Sequence, residues 1–177
     1  MKSDHLSKDD VQAILNAAIA DQEGYLFIRL LAKTGRRIGE LMQVRVKDID
    51  FTKHEVVTII EKKKKGATRT MFIDEPTCAL LANFIQAKGL KRDDKVFRKT
   101  VRAYRNKVYK YAAKAGLEKN VSPHAFRHYV VTSLRKAGWA WEDIALITGH
   151  HPLSVRYYDH TDAYLKEVDF REAAKEL

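Results

Sequence analysis

Two arginines, Arg37 and Arg127, stand in separate polar-edged motifs, and the second closes the string His124-Ala125-Phe126-Arg127. Gly149-His150 and then the pair Tyr157-Tyr158 follow in chain order. An arginine fork binds phosphate oxygens bidentately. A histidine shuttles protons or donates hydrogen bonds near neutral pH, and a phenol can serve as a covalent nucleophile. Together these side chains have the means to attack a phosphodiester with a tyrosine and without a metal.

The bulk of the chain agrees with an anionic partner. Lys plus Arg number 33 against 23 Asp plus Glu, a formal net charge of +10 over 177 residues. That balance points to a polyanion, nucleic acid first; a basic soluble protein without such a partner is the plainer alternative. The length suits about one domain with a sizeable core. Cys78 is the only cysteine, so no intrachain disulfide can form and a reducing compartment is expected. Within Cys78-Ala79-Leu80-Leu81 it reads as a small buried hydrophobe. An 18-residue apolar stretch and a basic-then-apolar leader are both missing, so the expectation is a soluble cytoplasmic protein.

Pattern and punctuation indicate the elements that must position the reactive groups. Ser7 with Asp10 resembles a capping box, and Val11, Ile14, Leu15 and Ala18 mark one helical face. A helix over residues 25 to about 33 runs into Gly35 as its cap. A short helix from 38 to about 44 presents Arg36, Arg37 and Glu40 near its start. Residues 56–60 and 69–73 read as strands, with the basic loop 61–68 between them. Pro76 suits the first turn of a helix reaching about 88.

Further on, ten Lys or Arg between positions 91 and 114 meet only Asp93 and Asp94, and Val101, Tyr104, Val108, Tyr109 and Tyr111 add helical periodicity. Ser122-Pro123 suits the cap and first position of a helix carrying His124 to Lys136 and stopping at Gly138. Another covers 141–148 and ends at Gly149, a short one spans 153–158, and the tail 162–177 is amphipathic. The predicted class is mainly α with a small antiparallel β-sheet, α+β.

Four motifs in order carry a family resemblance. Thr34-Gly35-Arg36-Arg37-Ile38-Gly39-Glu40-Leu41 resembles the first arginine box of the tyrosine recombinases, the phage-type integrases, and that register marks Arg37 as the catalytic arginine. His124-Ala125-Phe126-Arg127-His128 is similar to the family's His-x-x-Arg box, Thr148-Gly149-His150 to its Leu-Gly-His, and Tyr158-Asp159-His160 to its Tyr-x-His. Val46-Lys47-Asp48-Ile49-Asp50 is similar to the Trp-x-Asp-Ile-Asp of many members. Each motif alone is weak; the ordered set is specific and spans about residues 6–160.

The resemblance implies a fold, a reaction and a set of roles. The fold is that of a tyrosine recombinase catalytic domain, occupying 1–177 with a core over about 6–160 and a tail helix over 161–177. The N-terminal DNA-clamping domain is expected to be absent. The reaction is metal- and ATP-independent DNA strand exchange through a 3′-phosphotyrosine, with no cofactor. Arg37 and Arg127 would clamp the phosphate, His150 would add a donor, and His124 would donate and take the tyrosine's proton. Tyr158 would be the nucleophile, with Tyr157 open because the gap from His150 is one residue shorter than usual.

The leaving-group acid would be Lys64, or Lys65 if the loop is one residue shorter. Arg36, Lys63, Lys65, Arg102 and Arg105 are expected to contact DNA; the plainer reading of Arg36, and of Lys62 to Lys65, is a solvated surface. Double-stranded DNA is the implied partner, with a tetramer on paired sites, at the nucleoid of a prokaryote. The tail would dock on a neighbouring subunit or pack at home. Thr148 in place of Leu reads as a packing change. His124 and His128 have a zinc-compatible spacing, but Arg127 would repel a cation. A type IB topoisomerase, a catalytically silent DNA-binding module and a metal-dependent nuclease are the competing functions.

Overall fold

The computed structural model describes residues 5–60, 66–117 and 121–150. The basic loop over 61–65, the expected helix over 153–158 and the tail lie outside the described residues. In order, the elements are α1 (Lys8–Ala18), α2 (Gln22–Thr34), α3 (Ile38–Leu41), a 3-10 turn (Val46–Asp48), β1 (Ile49–Asp50), β2 (Glu55–Ile59), β3 (Thr68–Phe72), α4 (Glu75–Ala87), α5 (Val101–Lys114), α6 (Pro123–Lys136) and α7 (Trp141–Thr148). The mainly helical expectation with a small antiparallel sheet holds.

Local chemistry explains most boundaries. Ser7 and Asp10 close a reciprocal capping box on α1, whose buried residues are Val11, Ile14, Leu15 and Ala18. The Asp74 side chain accepts from the Thr77 amide at the start of α4, with Pro76 in its first turn. Pro123 occupies the same place in α6, where its missing N–H costs nothing.

Helix α2 is the hub, packing on α1, α4, α5 and α6. Its buried set, which includes Leu26, Phe27, Ile28, Leu30 and Leu31, wraps too much of its circumference for a surface helix. Phe27 stacks on Tyr104 at 4.4 Å and meets Phe97 edge-on at 5.1 Å. Burial of side chains this large contributes roughly 1.5–3 kcal/mol each, and it holds the carboxyl end of α2 in place. Cys78, Trp139 and Trp141 also join the core.

Four expectations need correction. Helix α2 begins at Gln22, not Tyr25, because Asp21 caps it by accepting from the Gly24 amide. Helix α3 stops at Leu41 instead of about Val44; the Val44 carbonyl accepts from Val96 and the Val46 amide donates to Asp94, so 44–46 joins a distant segment. The sheet has a third strand, with order β1-β2-β3, in which Ile49 faces Val56. Finally, only 101–114 of the basic stretch is helical, started by the Thr100 hydroxyl on the Ala103 amide.

Candidate active site

Helices α3, α5 and α6 meet around a cavity of about 500 Å³ lined by Arg36, Arg37, Arg105, Tyr109, His124 and Arg127 among others. Arg37 sits at the start of α3 in extended backbone (φ −67°, ψ 144°). Its Nη1 donates to Glu40 Oε1 at 3.1 Å, and its side chain keeps 28% exposure, against 1% for the carboxylate that holds it. A half-open guanidinium held from behind by a buried carboxylate presents its remaining N–H groups to an incoming anion.

Arg127 is 2% exposed and anchored from three sides. Its Nη1 donates to the Gly35 carbonyl at 2.8 Å and also to the Thr148 carbonyl, so the cap residue of α2 and the last residue of α7 share one cation. Its Nε donates to His150 Nε2 at 2.9 Å. Helix C-termini carry partial negative charge and unpaired carbonyls, so a buried guanidinium between two of them is a favourable arrangement.

That contact fixes the state of His150. Because Arg127 can only donate, His150 Nε2 accepts and carries no proton. The Thr148 hydroxyl donates to the Ile144 carbonyl at 2.6 Å, so its lone pair receives the Nδ1 proton of His150 at 2.8 Å. Burial first, then Arg127 and Arg37, push the His150 pKa down to about 3, which keeps the ring neutral. His150 was expected to donate to phosphate; in this arrangement it accepts, and it orients Arg127. Thr148 joins this hydrogen-bond network, which the sequence does not announce: a hydroxyl where the family pattern has Leu reads as packing.

His124 is exposed at the cavity mouth. Partial burial of its ring, with Arg127 and Arg37 close by, holds its pKa below the ordinary imidazole range. His128 meets its ring edge-to-face at 4.7 Å. Arg105 and Tyr109 bring the outer face of α5 to the same cavity, whereas Arg102 is exposed and lies outside the lining. Of the tyrosines on α5, Tyr104 and Tyr111 are core and Tyr109 is 38% exposed.

Arg36 departs from the expectation of a solvated residue. It is 1% exposed, and its Nη2 donates to the Thr70 carbonyl of β3 at 2.8 Å. Arg36 reaches inward to the sheet, whereas Arg37 turns to Glu40 and stays 28% exposed. Next to Thr70, the Arg69 guanidinium packs over the α7 cap, where a Cβ on Gly149 would collide with Arg69 Nη1. Gly149 also has φ 77°, a left-handed conformation that suits glycine. The structure therefore unites Arg37, His124, Arg127 and His150; Lys63, Lys64, Lys65, Tyr157 and Tyr158 lie outside the described residues.

The chain is similar to known proteins over most of its length. The phage integrase family model matches residues 4–164. A tyrosine recombinase of Pseudothermotoga lettingae is 29% identical over 170 residues, covering 94% of this chain and 57% of that protein. Tyrosine recombinase XerA of Saccharolobus solfataricus is 31% identical over 156 residues, covering 88% of this chain and 51% of that protein. The crystal structure of a XerA recombinase matches with a TM-score of 0.77 at 26% identity, over 89% of this chain and 60% of that one. The chain thus spans about half the length of the curated relatives it matches.

Proposed function

We propose a function from one secure premise: this chain belongs to the phage integrase family. The proposed reaction is site-specific DNA cleavage and rejoining through a covalent 3′-phosphotyrosine on Tyr158, without metal, ATP or any other cofactor. Residues 1–177 act as one catalytic domain on double-stranded DNA, assembled as a tetramer on paired sites. The observation that carries this reading is the convergence of Arg37, His124 and Arg127 on one cavity, with His150 bonded to Arg127.

The chemistry follows from the groups. Attack on a phosphodiester builds negative charge on its non-bridging oxygens, and donors already aimed there stabilise the transition state most. Arg37 and Arg127 supply those donors. His124, neutral at the mouth, accepts the phenolic proton, which is needed because an ordinary tyrosine stays protonated at neutral pH. Tyr158 oxygen bonds to phosphorus, and the P–O bond to the 5′ side breaks. Lys64, with Lys65 as the neighbouring alternative, protonates the departing 5′-oxygen, which leaves as the 5′-hydroxyl.

The phosphotyrosine conserves the bond energy, so a second 5′-hydroxyl can reverse the step and reseal the strand. His150 acts through Arg127, holding its Nε. Arg102, Arg105, Lys63 and Lys65 bind the DNA backbone, a term that net charge +10 favours.

A nicked suicide duplex tests the proposal. We expect a denaturation-resistant protein–DNA adduct that forms in EDTA, maps to Tyr158 by mass spectrometry and disappears in Tyr158→Phe. An adduct that survives Tyr158→Phe sinks the nucleophile assignment, and loss of cleavage in EDTA sinks the metal-free mechanism.

A further inference from the structure

Arg36 is a buried cation with too few acceptors. Its Nη2 has the Thr70 carbonyl, but Nε and Nη1 have no hydrogen-bond partner among the described residues. Burying a charge is costly unless it is paired. The charges acting on Arg36 are badly balanced: Glu40 favours it, while Arg69, Arg127 and Arg37 all oppose it. Burial, then Arg69, push its pKa down to about 9, so it stays charged at neutral pH. Arg69 Nη1 likewise has no partner among the described residues, and Glu40 keeps one unpartnered oxygen. Among the described residues Glu40 is therefore the one carboxylate shared by three guanidiniums, those of Arg36, Arg37 and Arg69, and this cluster borders the cavity that Arg36 and Arg37 both line.

Such a cluster is incomplete without an anion. We propose that Arg36 is a positioning residue for the anion site: a buried charge whose counter-charge is the bound phosphate group, acting through the low-dielectric protein without touching it. This rests on the proposed function, and it deepens it by adding a third arginine behind the clamp. Because a charge in a poorly solvated interior acts over several ångströms with little screening, Arg36 strengthens phosphate binding from behind Arg37. The same charge weakens the free protein, so the free fold and the bound anion make opposite demands on one side chain.

The test uses inorganic phosphate on the full chain, followed by calorimetric titration and by the unfolding temperature. We expect Arg36→Met to bind phosphate about tenfold more weakly, with a free-state Tm equal to or above the parent's. Arg36→Lys, which keeps a cation, recovers most of the affinity. A phosphate affinity for Arg36→Met within about twofold of the parent, or a lower free-state Tm, overturns the inference, since either outcome means that Arg36 is satisfied inside the fold. Arg37→Ala separates the two readings. If it abolishes phosphate binding while Arg36→Met does not, only this inference falls; if neither substitution matters, the anion site itself falls with it.

Discussion

At the residue scale, the site depends on side chains whose protonation and direction are set by a neighbour. Thr148 is the clearest case, since its hydroxyl joins the Ile144 carbonyl to His150 Nδ1 and so leaves Nε2 free to hold Arg127. Thr148→Val keeps the shape and removes the hydroxyl. Its expected cost is about 1 kcal/mol of stability, with a drop of about tenfold in the suicide-substrate cleavage rate; Thr148→Ser retains both. Unchanged cleavage in the valine variant would mean that His150 needs no orienting partner. Arg37, His124, Arg127 and His150 were all legible from motif order. The burial of Arg36 was not, because adjacent arginines look alike in a sequence and only the fold separates the one bonded to the Thr70 carbonyl from the one bonded to Glu40.

At the scale of elements, caps and turns were the readable part. Ser7 on α1, Pro76 in α4, Pro123 in α6 and Gly149 after α7 act locally, so a few residues declare them. The misread boundaries are those set from a distance. Polar Gln22 and Glu23 hid the first turn of α2, and the bonds from 44–46 to Asp94 and Val96 ended α3 early. A two-residue strand such as β1 has no periodicity to detect. The α7 cap yields a further prediction. Gly149→Ala forces a side chain into left-handed backbone and displaces Arg69, at an expected cost of about 1–2 kcal/mol by urea unfolding. A neutral result would show that Arg69 swings away freely and that β3 is not tied to the cap.

Across the whole molecule, the histidines near the cavity make the fold acid-sensitive. Burial, with neighbouring positive groups, pushes His150 down to about 3 and His128 down to about 4. Both rings are neutral in the folded state, whereas the unfolded chain takes up protons near pH 6.5. Their contribution is therefore complete above about pH 6.5 and is lost as the pH falls toward the folded values. Between pH 7 and 5 we expect a loss of roughly 2 kcal/mol, discounted for partial exposure, read from urea midpoints. A flat profile over that window would contradict neutral burial. Asp21, held down to about 2, titrates below the window and does not confuse it.

Arg127 bonds at once to the carbonyl ends of α2 and α7 and to a histidine ring. A mutagenesis series at this position would accordingly mix two losses, one of folding and one of catalysis, and its kinetics could not be partitioned. Arg37, half open and held by a single carboxylate, is the cleaner place to measure what a guanidinium contributes to the chemistry alone.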